Sequence, residues 1–167
     1  MPSTSDSAPG DQPLDSDLVA VPTREPGQRV HLGPQYVVLA VVGGTIGTGL
    51  RYAAETFVSS PGRPPWPLGT LTVNLTGAWM LGLLLEILTR SGPDRGRRRA
   101  ARIAVGTGLI GGFTTYSSFA VETSVLLTGG HPLQAMSYAL GTVVLGLGGA
   151  VLGVAVARRV LPDAGSS

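Results

Sequence analysis

The sequence predicts an all-α membrane protein with four transmembrane helices and a break in the third, and three observations predict it. Charged residues make up only 13% of the 167-residue chain, against about 25% in soluble domains. Uncharged runs of roughly 20 residues, the length that crosses a bilayer, recur from residue 32 onward. The basic residues are twelve arginines and no lysine, and they fall mostly between those runs rather than inside them.

The elements follow in order. Residues 1–33 read as a disordered tail rich in Ser, Pro, Asp and Gly, with no apolar period. Such a segment buries too little surface to offset its ordering entropy. Asp6, Asp11, Asp15, Asp17 and Glu25 against two arginines give it a net charge of −3. It lacks the basic start and short apolar run of a secretory signal. The first span is predicted at 36–58, since 32–50 is uncharged and the apolar character resumes beyond Arg51 and Glu55. The second is predicted at 66–89, from twenty-two uncharged residues at 64–85. The third, 102–128, rests on nineteen uncharged residues at 103–121, and the fourth, 133–157, follows the Gly129-Gly130-His131-Pro132 interruption. Residues 161–167 read as a short disordered tail, so the membrane unit is 34–160.

Glycine and arginine placement extend this reading. Gly43 and Gly47, Gly108 and Gly112, and Gly149 and Gly153 have the spacing that lets helix backbones approach closely in lipid. With the N-terminus inside, ten arginines are cytoplasmic and only Arg63 is external. The positive-inside rule then places both termini in the cytoplasm. The basic run at 95–99 reads as a topology anchor against anionic lipid, not as a nucleic-acid site.

Several chemistries are excluded. There is no cysteine and there are only two histidines, His31 and His131, so thiolate catalysis and histidine metal clusters are absent. Gly106, Gly108 and Gly111 satisfy a dinucleotide-binding glycine pattern, but the acid that should hold a ribose about 20 residues on is missing. No nucleophile–base pair stands out, and the chain does not read as an enzyme.

The informative stretch is GGFTTYSSF at 111–119, with two glycines and four threonine or serine residues in the middle of a span. Glycines and clustered hydroxyls loosen a helix. A break there would turn backbone carbonyls inward, a geometry suited to a cation; the alternative is a continuous helix whose hydroxyls bond back to the preceding turn. Asn74 stands alone among apolar residues, either as a helix–helix hydrogen bond or as an amide donor along an anion path. Tyr138 and Thr142 share one helix face. Arg51, Glu55, Glu86 and Glu122 are ionisable groups near or within spans, which makes them functional candidates, although Arg51 and Glu86 are placed where they can snorkel.

GGTIGTGLRY (43–52), GTLTVNLTGAWMLG (69–82) and GGFTTYSSF (111–119), in this order and spacing, closely resemble the signature stretches of the Fluc/CrcB fluoride channels. The resemblance covers residues 36–159. It implies passive export of toxic cytoplasmic fluoride across the bacterial cell membrane, by an antiparallel, dual-topology-type dimer with two pores and a central structural sodium ion. By that likeness the sodium ligands are the backbone carbonyls of Gly111 and Thr114 from each subunit. The pore-lining residues are Asn74, Thr70, Tyr116, Ser117, Phe119, Tyr138 and Thr142, and Arg51 and Glu122 are further motif residues. Two positions depart from the pattern: Tyr116 stands where the family usually has Phe, and Gly146 replaces the last hydroxyl of the fourth-helix track.

An antiparallel assembly of one chain requires insertion in both directions, hence balanced positive charge. Ten arginines against one are not balanced, so the sequence predicts a homologous, oppositely oriented partner subunit. Two other functional classes fit four short spans, a small proton-coupled multidrug exporter and a non-transporting membrane scaffold. The exporter needs a carboxylate deep in its first helix, and Glu55 lies late in this one.

Overall fold

A computed structural model describes residues 33–58 and 66–161. The expectations for residues 1–32, for the loop that carries Arg63, and for residues 162–167 lie outside the described residues. All regular structure described is helical: α1 (Pro34–Val58), α2 (Leu68–Arg90), the short α3 (Arg97–Ala101), a π-helical segment (Arg102–Ile110), the single turn α4 (Gly111–Phe113), α5 (Tyr116–Thr128) and α6 (Pro132–Val160). Three of these, α1, α2 and α6, are long and apolar enough to cross a membrane. α6 starts with Pro132 in its first turn, where proline's missing N–H is not needed.

Over the stretch predicted as the third span there is no continuous α-helix. Its first half winds as a π-helix for nine residues, with the Gly111 N–H reaching back to the Gly106 carbonyl. π-Winding usually occurs as single-turn bulges. Hydropathy does not report local winding, so the sequence holds no sign of this one.

Packing is governed by glycine. α1 lies on the π segment and α4, and α2 lies on α6. A Cβ on Gly43 would collide with the Ala104 carbonyl, one on Gly47 with the Leu109 carbonyl, and one on Gly112 with the Gly44 carbonyl. Two of the three spaced glycine pairs therefore face each other across one seam. The third packs elsewhere: Gly153 meets the Trp79 carbonyl, as Gly82 meets that of Ala150, along α2 and α6. Backbones this close gain dispersion contacts that larger side chains would prevent.

The buried core is small, with Val73, Ile110, Leu126, Ala135, Tyr138 and Ala157. Large apolar side chains instead cover the outer faces of α1 and α6, including Val37, Val41, Leu140, Val144 and Val151. A water-soluble monomer rarely exposes an apolar surface this continuous.

Charge collects at one end, where α1 begins, α2 and α6 finish and α3 starts. Arg99 stacks 5.0 Å above the Tyr36 ring, and Glu86 binds Arg90 at 2.8 Å and Arg158 at 2.9 Å. The turn between α2 and α3 uses Gly92 at φ 115° and Gly96 at φ 53°, values costly for any residue with a Cβ.

Candidate functional site

The site is built around two residues where the backbone leaves the helix. Thr114 adopts φ −83°, ψ 158° and Thr115 φ −146°, ψ 124°, both extended. Two successive β-branched threonines suit extended backbone. The Thr114 N–H and hydroxyl still donate to the Ile110 carbonyl, at 2.9 and 3.1 Å, closing the turn before the break.

α2 receives the extended segment. The Asn74 amide donates to the Thr115 carbonyl at 2.9 Å and accepts from the Thr115 N–H at 2.8 Å. One side chain thus satisfies both backbone groups of a residue, as a neighbouring strand would. The Thr114 methyl fits where Gly77, three residues along α2, has no side chain. The buried Thr115 hydroxyl then caps α5 by accepting from the Ser118 N–H at 3.2 Å, with Ser117 Oγ 3.1 Å away. This is an N-cap of the ordinary Ser/Thr kind.

These bonds have a consequence for two carbonyls. In an unbroken helix the Thr115 N–H would bond the Gly111 carbonyl and the Ser118 N–H would bond that of Thr114. Here the first donates to Asn74 and the second to Thr115 Oγ1. Gly111 and Thr114 are thereby released from their normal helical donors.

Next to the break runs a second network. Thr70 and Tyr138 donate their hydroxyls to the two oxygens of Glu122, each at 2.7 Å. Thr142 donates to the Tyr138 carbonyl at 2.7 Å. Three rings form a ladder beside it: Tyr116 to Phe119 at 6.0 Å between centroids and Phe119 to Tyr138 at 5.4 Å, tilted 44° and 42°. Asn74, Thr114, Thr115, Tyr116, Phe119, Thr142 and Val143 line an open groove of about 320 Å³. What it offers is donors and positive ring edges, with the start of α5 at its wall.

The structure thus brings Asn74, Thr114, Tyr116, Phe119 and Thr142 to one groove, and Thr70, Glu122 and Tyr138 to one hydrogen-bonded chain. Ser117 is exposed, touches Thr115 and does not line the groove. Gly111 sits exposed in the turn before the break. Arg51, half-buried on α1, has no hydrogen bond or ion pair among the described residues. Gly146 faces open space. The hydroxyls of Thr70, Tyr138 and Thr142, which the sequence suggests as anion donors, are all directed to protein acceptors. Thr115, Ser118 and Gly77 were missed by sequence reasoning. The only available signal was the Thr115-x-x-Ser118 spacing, which reads as a cap once a helix is known to start there. A carboxylate oxygen of Glu55 is also buried without a hydrogen-bond partner among the described residues.

Fold and site together define a small, mostly apolar helical protein whose polar groups converge on a broken helix. A family model described as "CrcB-like protein, Camphor Resistance (CrcB)" matches residues 38–154. A protein of Cutibacterium acnes named fluoride-specific ion channel FluC 1 is 43% identical over 129 residues, covering 77% of this chain and 89% of its own. A FluC 2 of Leifsonia xyli subsp. xyli is 41% identical over 134 residues, covering 78% and 91%. A FluC of Mesorhizobium japonicum is 37% identical over 124 residues, covering 74% and 97%. The chain belongs to the CrcB-like family, and it is a multi-pass membrane protein.

Proposed function

We propose that this chain is a subunit of a fluoride-specific channel that lets cytoplasmic fluoride leave the cell down its gradient. The observation that carries the reading is the groove at the helix break, where a clamped amide, a helix start and a ladder of ring edges meet. Fluoride is small and strongly hydrated, so a pore must replace its water with donors. The second hydrogen of the Asn74 amide, not needed for Thr115, is one. The N-terminal end of α5 adds partial positive charge, and the edges of Phe119 and Tyr116 add more. A channel of this kind moves an ion and performs no bond chemistry, so it is not an enzyme.

In this reading the segments from α3 to α5 together make the third of four spans, and residues 1–33 and 161–167 are tails outside the bilayer. Non-helical backbone at membrane depth needs protein partners, and Asn74 and the Thr115 cap supply them. The carbonyls of Gly111 and Thr114, released from their helical donors, fit a structural sodium ion. Those two carbonyls would hold such an ion, whose charge would offset their partial negative charge and fix the break.

The assembly is an antiparallel dimer, and the arginine-rich end of the bundle lies in the cytoplasm with both termini. That bias favours a homologous partner of opposite orientation over a second copy.

Liposome efflux followed with a fluoride electrode tests the function. The chain, alone or with its oppositely oriented homologue, is expected to release fluoride but not chloride. Phe119→Ala is expected to lower the rate at least ten-fold, and removal of residues 1–30 to leave it unchanged. Folded protein without fluoride flux in either arrangement overturns the reading.

A further inference from the structure

The arginines at the charged end are not equivalent. Arg90 and Arg158 share Glu86, Arg102 pairs with Asp94, and Arg99 covers Tyr36. Glu86 and Asp94 are the two acids of that end among the described residues, and both are engaged. Arg95, Arg97 and Arg98, and Arg159 at the end of α6, are left exposed, with no ion pair or side-chain hydrogen bond among the described residues; the first three are close together in the chain.

Those three lie where the turn after α2 runs into α3. The Arg98 N–H bonds the Arg95 carbonyl at 3.2 Å. The Arg98 guanidinium lies against Gly92, where a Cβ would come within 2.6 Å of its Nη1. Three exposed arginines therefore stand within four residues of chain, in the turn after α2 and the start of α3.

We propose that Arg95, Arg97 and Arg98 form a binding surface for the phosphate headgroup of an anionic phospholipid. The inference rests on the membrane reading of α1, α2 and α6. It is favoured by position, because the turn is tied to the ends of apolar helices, at the level where headgroups stand. It is also favoured by chemistry, because guanidinium binds phosphate oxygens through paired N–H donors. A nucleic acid would need an extended basic track to neutralise several phosphates, and this cluster is a single turn.

The test is a titration of the full, detergent-solubilised chain with phosphatidylglycerol, counting bound lipid by native mass spectrometry. Parallel arms use phosphatidylcholine, inorganic phosphate and a short single-stranded RNA. Phosphatidylglycerol is expected to bind at least ten-fold more tightly than phosphatidylcholine. Arg95→Gln/Arg97→Gln/Arg98→Gln is expected to lose that preference, and the matching triple lysine variant to recover only part of it. Fluoride efflux from neutral-lipid liposomes is expected to be the same for the triple glutamine variant and the natural chain, which reports folding separately. An unchanged lipid preference in that variant overturns the proposal, as does equal binding of free phosphate or tighter binding of RNA. Loss of fluoride flux in the natural chain would instead count against the channel reading and leave the lipid result to stand by itself.

Discussion

Away from the glycine contacts of Gly82 and Gly153 that join the later part of α2 to α6, two seams meet at the helix break, and they work by opposite means. Along α1, the π segment and α4, side chains have been removed, so that Gly43, Gly47 and Gly112 let backbone touch backbone. Along α2, α5 and α6, polar side chains have been added: Thr70, Asn74, Glu122, Tyr138 and Thr142 bond one another or the backbone. The first seam fixes a distance and offers a passing ion nothing. The second fixes directions, and direction is what a site for a dehydrated anion needs. Lipid makes both necessary, since it provides no hydrophobic drive between helices and no water for stray polar groups.

The contrast can be broken at the first seam with the largest effect. Gly43→Ala forces a methyl into the Ala104 carbonyl, with no flexible side chain to yield. We expect a loss of about 3 kcal/mol or more, read as a lower unfolding midpoint in detergent. Gly49→Ala, on the same helix but in open space, is expected to be neutral or to gain up to about 1 kcal/mol.

At the second seam, Asn74→Leu leaves the N–H and carbonyl of Thr115 without partners. The expected cost is about 2–6 kcal/mol, at about 1–3 kcal/mol for each stranded group. Fluoride efflux is expected to fall at least a hundred-fold. Asn74→Asp keeps the acceptor for the Thr115 N–H but loses the donor to its carbonyl, and should recover at most part of the stability and none of the flux.

A smaller effect is expected from Thr115→Ala, which removes the cap of α5 for about 1 kcal/mol. Thr115→Ser should recover most of it in the same unfolding measurement. If serine fails to recover it, the methyl group rather than the hydroxyl is what holds the break. The smallest effect belongs to Glu86→Gln, which loosens two arginines at the rim. Exposed pairs of this kind contribute little and are screened by salt, so the difference from the natural chain should shrink as ionic strength rises.

These two seams were not equally legible beforehand. The spacing of Gly43, Gly47, Gly108 and Gly112 announces a close contact, because a small residue every fourth position has few other uses in lipid. Which pair meets which is a matter of tertiary placement, and spacing carries none. For Asn74 the sequence offers a helix–helix hydrogen bond or an anion donor, and its bonds go to a backbone that is itself no longer helical. Thr115 could not be recognised as a cap, because the sequence marks a break within 111–119 but not the residue at which the next helix starts. Thr70 and Glu122 lie 52 residues apart, and no local pattern joins them. The resemblance to relatives named them together, but the hydrogen bonds show what each is attached to.

The π-helical stretch carries a consequence for how this chain can vary. Its nine residues are threaded onto fewer turns than an α-helix would use, and everything after Ile110 inherits that phase. Deleting one residue there lets the segment tighten toward ordinary α-helix, and the added winding offsets much of the rotation lost with the residue, about 100° for each residue of an α-helix. An inserted residue has no such compensation, because the stretch is already wound loosely, and Tyr116 and Phe119 would swing away from Asn74 even though no residue of the groove had changed. Single-residue insertions between Arg102 and Ile110 should therefore reduce flux far more than substitutions or single-residue deletions there.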